Sequence, residues 1–500
     1  MGIEIGLAVN PEKIDSLQWQ NCYLKTLKII DDYPAMSLKS ESHLGEKRLV
    51  LTSDVEKNIN DLKRRHWSIC GNIENNTRAE TFSLYYNLDH YDTWSSYDND
   101  DILFSYLDFD KDLRFIYKRK TQGEDYHKLI LAISILIENC FPDKAIVMGD
   151  FDSEEVTEAV NWLEEIFEQK FEWPVLAAKE KLFTKLKSRF ADHDVIKNFY
   201  HFYRGDQNEM MHYFFKKLGQ ETVSEWLKDY LKAREYTVHS KGAIDLFILW
   251  LNESKDLESL VKMACIDEDG PCYEMKDFIE VLNDIWIFVF DEYRDYFDRF
   301  EEFEKKSNKD PFLKIYSLFL DLHISGRKTK VGFKEAELFE ILEKYFPEEK
   351  SELIEFHREK DEETKEIFEQ FEELDKEELE VESEEEETDF NKEFNNFISE
   401  ETQNKLKMKI EKVEKKLKNA GVETLDEHYK LLISFITEAG KALTEETWSK
   451  LDQIENVDLI NFFIFMYYGH VDDRLFNLFR DYITENVDFL EAELKKYKII

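Results

Sequence analysis

Glycine and proline are scarce along this chain, with 15 and 7 residues among 500. These two residue types end helices and supply the tight turns on which sheet-rich folds depend. Their scarcity therefore favours long helices. A hydrophobic content of 42%, with 39 Phe and 24 Tyr, is enough to bury several cores, so a disordered chain is not expected. The sequence predicts a mainly α protein.

The first 175 residues differ from the rest. Segments such as IEIGLAVN, HWSICGNI and LRFIYKRK are rich in β-branched and aromatic residues and are separated by Asn, Asp and Gly clusters, as is typical of strands. Helical patterns lie at roughly 14–30, 124–140 and 153–169. We predict an N-terminal α+β domain at residues 1–175, with a mixed or antiparallel sheet.

Beyond residue 175 the apolar residues recur at helical spacing, in segments such as NEMMHYFFKKL, VSEWLKDYLKA and KEAELFEILEKYF. This pattern predicts an all-helical domain at 176–375, built as a helical bundle or an irregular α-solenoid. The sequence has no fixed repeat of about 34–45 residues, so a regular repeat family is not supported. An acidic linker at 376–390 and a helical C-terminal domain at 391–500 complete the predicted architecture.

The formal net charge is −42. Such a surface repels nucleic-acid phosphates and anionic lipids and favours a partner protein with a basic surface. Residues 359–389 contain 18 acids and 3 lysines, whereas NKLKMKIEKVEKKLKNAG, residues 404–421, contains seven lysines and two glutamates. We expect these neighbouring segments to pair with each other. Direct nucleic-acid binding is not expected, because the lysine segment has no Arg and no interleaved aromatic residues.

Cysteine usage and apolar runs indicate a cytoplasmic protein. The five cysteines form no CxxC pair, which suggests reduced thiols, and the start MGIEIGLAVN has no basic segment typical of a secretion signal. The longest apolar runs, LILAISILI and NFFIFMYY, are under half the ~20 residues of a membrane helix. We expect a soluble bacterial protein without a membrane partner.

The string GDFDS, which follows the predicted strand KAIVMG and precedes a helix, is the main candidate for chemistry. Asp150 and Asp152 are two residues apart and can both reach one Mg²⁺. The helix N-terminus that follows offers N–H groups to a phosphate.

The wider string PDKAIVMGDFDS resembles the segment of thiamine pyrophosphokinases in which Pro-Asp precedes a strand ending in GDFDS. The resemblance implies that Asp150 and Asp152 help to bind metal and pyrophosphate. It covers twelve residues, and the Ala-Asp-Gly-Gly segment found upstream in that family has no counterpart here.

A helix cap explains the same residues without chemistry. Asp152 followed three residues later by Glu155 matches a capping box, and an apolar stripe begins at Val156. Gly149 would permit the tight exit from the strand. We favour the cap over the metal site.

No GxSxG, P-loop, GxGxxG or HExxH motif occurs, so no catalytic residue can be assigned. The sequence therefore predicts a non-enzymatic cytoplasmic protein that binds a basic protein partner, such as an immunity-like protein or a defence-complex subunit, without a cofactor. One alternative is a Mg²⁺-dependent phosphoryl- or nucleotide-processing enzyme that uses Asp150 and Asp152. A second is an acidic inhibitor that mimics a nucleic acid. The oligomeric state is left open.

Overall fold

The computed structural model describes residues 2–75, 77–91, 114–289, 329–363, 400–467, 480 and 483–496. They form two compact units. Unit 1 draws its residues from Met1–Ser105, Phe109–Pro174 and Glu384–Ile500, and unit 2 from Tyr106–Asp108 and Val175–Ser383. The protein is mainly helical, with its sheets in unit 1.

Two sheets organise unit 1. Their strands are β1 (Glu4–Val9), β2 (Ala35–His43), β3 (Glu46–Thr52), β4 (Glu56–Lys57), β5 (His66–Asn72), β6 (Thr77–Tyr85), β7 (Arg114–Lys120), β8 (Ala145–Gly149) and β9 (Leu443–Thr444). The first sheet has the order β7-β1-β8, and both pairs are antiparallel. The second has the order β4-β5-β2-β3-β9, with β6 also paired to β5. Only the β3–β9 pair is parallel in the described residues.

Three helices accompany these strands, namely α1 (Ser16–Asp31), α2 (Tyr126–Cys140) and α3 (Ser153–Phe167). Helix α2 packs against α1, α3, β1 and β8, and every residue from Leu129 to Glu138 is buried. The apolar run LILAISILI is thus the central helix of unit 1. Helix α1 begins after its cap Asp15 rather than at Pro11, which opens a separate 3-10 turn.

The C-terminal part of unit 1 contains α12 (Glu400–Asn419), α13 (Leu425–Glu438), α14 (Glu445–Asp452), α15 (Val457–Tyr467) and α16 (Val487–Lys496). Helices α13 and α14 pack against strand β3. The Trp448 indole donates to the Leu49 carbonyl at 2.9 Å, and Arg48 forms two hydrogen bonds of 2.9 and 3.0 Å to Asp452. Val50 of β3 belongs to the apolar core that these helices share. The C-terminal helices therefore complete the packing of the N-terminal sheet.

Unit 2 is helical throughout its described residues. Its helices are α4 (Lys179–Lys187), α5 (Asp192–Phe202), α6 (Gln207–Leu218), α7 (Gln220–Ala233), α8 (Lys241–Ser254), α9 (Leu257–Val261), α10 (Met275–Asp284) and α11 (Glu335–Tyr345), and residues 350–363 are also helical. From α4 to α8, each helix packs against the next, and α5 and α6 also pack against the second one along. Large aromatic side chains such as Phe199, Trp226 and Trp250 fill the core.

The mainly α prediction, with sheets in the N-terminal part, is confirmed. Strand β2 was not predicted, because its outer half, LKSESH, is polar and forms a hairpin arm whose turn, Leu44-Gly45, has positive φ at both residues. The choice between a bundle and a solenoid stays a prediction, and the predicted linker at 376–390 lies outside the described residues. Within the described ranges, none of the helices combines the length and apolar character needed to cross a bilayer.

Candidate functional site

The GDFDS turn lies where strand β8 leads into helix α3. Gly149 has a φ of +121°, and a Cβ there would lie 2.3 Å from the Glu4 carbonyl oxygen. The next residue, Asp150, donates its backbone N–H to that carbonyl at 2.8 Å and accepts the Glu4 N–H on its carboxylate at 3.0 Å. One oxygen of Asp150 is thus used to extend the pairing with β1.

Asp152 caps helix α3. Its Oδ1 accepts the backbone N–H groups of Glu154 and Glu155 at 2.8 and 2.9 Å, and Glu155 Oε2 accepts the Asp152 N–H at 3.0 Å. This is a complete capping box. Asp152 already accepts two of the N–H groups that a phosphate would need at a helix N-terminus. The turn therefore serves as a helix cap.

His127 is a buried neighbour of this turn that the sequence did not single out. It lies on α2 with 5% of its surface exposed. Its Nδ1 is 2.6 Å from Thr121 Oγ1, and its Nε2 has no hydrogen-bond partner and lies 3.6 Å from Glu155 Oε1. Burial lowers the pKa of His127, an effect partly opposed by the charges of Asp150 and Asp152. A neutral imidazole therefore faces the carboxylate of the capping box.

The carboxylates respond to the same environment. Burial raises the pKa of Glu155, and the charges of Asp152, Glu158 and Asp150 add to that shift. Across the part of the chain that the structure describes, no three His, Cys, Asp or Glu side chains are placed to hold one metal ion. The structure thus brings together the exposed Asp150 and Asp152, the half-buried Glu155 and the buried His127 around a helix start. The Mg²⁺ site at Asp150 and Asp152, the alternative to the cap, stays a prediction.

A second candidate is the exposed side of helix 350–363 in unit 2. Leu353, His357 and Asp361 are buried on its inner side, where the His357 ring lies 5.8 Å from that of Phe339 on α11. The opposite side carries Glu352, Glu355, Glu359 and Glu362, all exposed, which we call the acidic face. The side chain of Glu352, for example, is 77% exposed.

Helical geometry aligns these four residues in one row. Their spacing of three, four and three residues keeps them on one face, with about 5–6 Å between successive Cβ atoms and about 15 Å along the axis. Neither Glu355 nor Glu359 has an ion-pair partner among the described residues. Glu352 forms a long ion pair with Lys276, 4.0 Å between Nζ and Oε1. The acidic face therefore presents negative charge that is only partly compensated.

No family model, curated protein or solved structure matches this chain. The function must therefore be argued from the two sites themselves.

Sequence reasoning missed both His127 and the acidic face, for different reasons. His127 lies 23 residues before Asp150 on another helix, and no local pattern links them. The acidic face was detectable: counting glutamates from residue 352 at helical spacing gives the row directly, but the wider acid-rich composition of 359–389 obscured it.

Proposed function

We propose that this chain is a non-enzymatic protein of the bacterial cytoplasm that binds a partner protein through a basic surface on that partner. An immunity-like protein and a subunit of a defence complex are concrete forms of this function. The observation that carries the proposal is the acidic face at Glu352, Glu355, Glu359 and Glu362. It is a regular, exposed row in which Glu352 has a long ion pair of 4.0 Å with Lys276, while Glu355 and Glu359 have no ion-pair partner among the described residues.

The energetics of the helix support a binding role. Carboxylates spaced three or four residues apart repel each other and weaken an isolated helix by about 0.2–0.5 kcal/mol for each pair. The helix is held by the buried residues of its inner side, so its folding does not require the row. A surface that lowers the stability of its own helix is typical of a binding site, because a bound partner of opposite charge relieves the repulsion.

Long-range charge supports the same function. A net charge of −42 attracts a basic protein and speeds encounter, since complementary potentials act mainly on the association rate and on partner choice. The 29 residues at 335–363 contain twelve acids and four basic residues. Helix α11 and helix 350–363 are therefore a region of locally high negative charge.

The test compares matched charge reversals in affinity capture with quantitative mass spectrometry. Glu355→Lys/Glu359→Lys reverses two residues of the acidic face. Glu221→Lys/Glu225→Lys reverses two exposed glutamates with the same spacing on α7 and serves as the control. Proteins retained by the wild type and the control but lost from the acidic-face variant would be the partners. If all three chains retain the same proteins, the acidic face is not the binding site.

The charge of the acidic face favours one specific class of partner. A row of negative charges has the same sign as a nucleic-acid strand, which supports the second alternative, a nucleic-acid mimic, although its spacing of about 5–6 Å is wider than the ~3.4 Å axial repeat of phosphates along one strand. A partner of this class would be displaced by a DNA duplex, whereas an ordinary basic partner would be displaced by salt alone.

The enzymatic alternative rests on Asp150 and Asp152 with Mg²⁺. Its support is the GDFDS sequence, and its difficulty is that both side chains already serve the turn. Isothermal titration with Mg²⁺ and Mn²⁺, wild type beside Asp152→Ala, separates the two readings, because only a metal site gives saturable heat that the substitution abolishes.

A further inference from the structure

Helix α12 carries a surface of opposite sign to the acidic face. Its inner side, with Ile410, Val413 and Leu417, packs into the core of the C-terminal helices. The outer side presents Lys412, Lys415 and Lys418, all exposed, together with Met408, whose surface is 69% exposed. We call these four residues the lysine face.

Among the described residues the lysine face is not neutralised. Residues 364–399, which hold most of the acidic segment expected to pair with it, lie outside the described residues, so that pairing stays a prediction. Lys412, Lys415 and Lys418 have no ion-pair partner among the described residues. Glu411 lies within this face and Glu414 lies beside it, and both reduce the local charge without an ion pair to these lysines. The exposed Met408 lies at the N-terminal end of this row of lysines, and an apolar side chain there would gain free energy by leaving water on contact with a partner.

We propose that the lysine face docks against the acidic face of a second copy of this chain. The proposal rests on the acidic face being a binding surface, as argued above, and names one occupant for it. Both faces are exposed helix surfaces with charges of opposite sign at intervals of three or four residues, and apart from Glu352 these charges have no ion-pair partner among the described residues, so the two rows can be placed opposite each other. The lysine face has neither arginines nor aromatic rings, which disfavours a nucleic acid as the occupant.

Each copy carries both faces, so two copies related by a twofold axis make the contact twice. If the contact does not form a closed dimer, it is repeated from copy to copy and gives an open chain of molecules. A basic partner of the acidic face would then compete with self-association.

The net charge gives this association an unusual salt dependence. At low ionic strength two chains of charge −42 repel each other over long distances. At about 0.15 M salt the Debye length falls to about 8 Å, so this repulsion is screened while contacts between the two faces persist. At about 1 M salt the contacts are screened as well. Association should therefore be strongest at intermediate salt.

Sedimentation velocity of the full chain across a salt series tests the proposal. The variants are Lys412→Glu/Lys415→Glu, Glu355→Lys/Glu359→Lys and the four substitutions together, with Glu221→Lys/Glu225→Lys as the control. We expect wild type and control to associate at intermediate salt. Either reversal alone should weaken association by about tenfold or more, since it places like charges together, and the fourfold variant should recover it.

Three results would overturn the inference. The wild type could sediment as a monomer at every salt concentration, the single reversals could leave association unchanged, or the fourfold variant could fail to recover it. A monomer that binds a single-stranded oligonucleotide or phosphatidylserine vesicles through Lys412 and Lys415 would also replace it.

The same variants separate this inference from the proposed function. Lys412→Glu/Lys415→Glu should weaken self-association by about tenfold or more and leave capture of a basic partner intact. If the acidic-face variant loses self-association but captures the same proteins as the wild type, the proposed function fails and the docking inference stands.

Discussion

The contact between Arg48 and Asp452 should hold the C-terminal helices on strand β3, and Asp452→Asn should loosen it. Arg48 donates two hydrogen bonds to the Asp452 carboxylate, and its side chain is only 12% exposed. A charge-assisted hydrogen bond contributes about 1.5–3 kcal/mol. Asp452 is 26% exposed, so solvent screens the pair, and Glu41, 3.4 Å from Arg48, remains as a weaker partner. We therefore expect a loss of about 2 kcal/mol, which is roughly a 30-fold larger local opening constant.

Hydrogen exchange followed by mass spectrometry measures that opening directly. Amide exchange over residues 443–452 should become roughly 30-fold faster in Asp452→Asn, while exchange within the buried helix α2 should not change. Glu446→Gln is the matched control, because it breaks an exposed pair with Lys450 on the same helix and should leave exchange nearly unchanged. If Asp452→Asn and the control exchange at the same rate, the contact does not hold the helices in place.

Four further substitutions test the two sites. Asp152→Ala should lower the free energy of unfolding by about 1 kcal/mol because the helix cap is lost. The heat of Mg²⁺ titration should be the same in the wild type and in this variant. If the wild type gives a binding heat that Asp152→Ala lacks, the cap interpretation is refuted. Gly149→Ala should cost about 2 kcal/mol in urea unfolding, since an added Cβ meets backbone at positive φ. His127 has a lowered pKa, so the unfolded chain binds its proton first and stability should fall as pH drops below about 6.5. His127→Gln should flatten that part of the pH profile. Glu355→Lys should raise thermal stability slightly, because it turns the like-charge pairs with Glu352 and Glu359 into attractive ones and adds one repulsion with Arg358; added salt should remove the gain.

Much of the helical architecture followed from local signals. Asp152 and Glu155 form the capping box that their spacing predicts, and the apolar stripe from Val156 is buried as expected. In unit 2 the predicted helical segments NEMMHYFFKKL, VSEWLKDYLKA and KEAELFEILEKYF correspond to α6, α7 and α11, because each buries one periodic face, a property that a short window of sequence contains.

The long-range pairings did not follow from the sequence. Strand β9 has two residues, Leu443 and Thr444, and no pattern of that length distinguishes it from a turn. Its partner β3 lies almost 400 residues earlier, and the choice of that edge depends on Arg48, Trp448 and the shared apolar core. His127 reaches the GDFDS turn for the same reason, since two helices that meet in space leave no trace in local spacing.

The order of the chain has a consequence for its synthesis. Residues of unit 1 come both before and after the whole of unit 2. At about 5–20 residues per second, a ribosome needs roughly 20–80 seconds between emergence of β3 and emergence of β9. Throughout that interval the nascent chain displays an unpaired strand edge, which is a template for wrong partners. The sheet is therefore incomplete during each round of translation. The yield of folded protein should depend most on a chaperone that covers exposed strand edges.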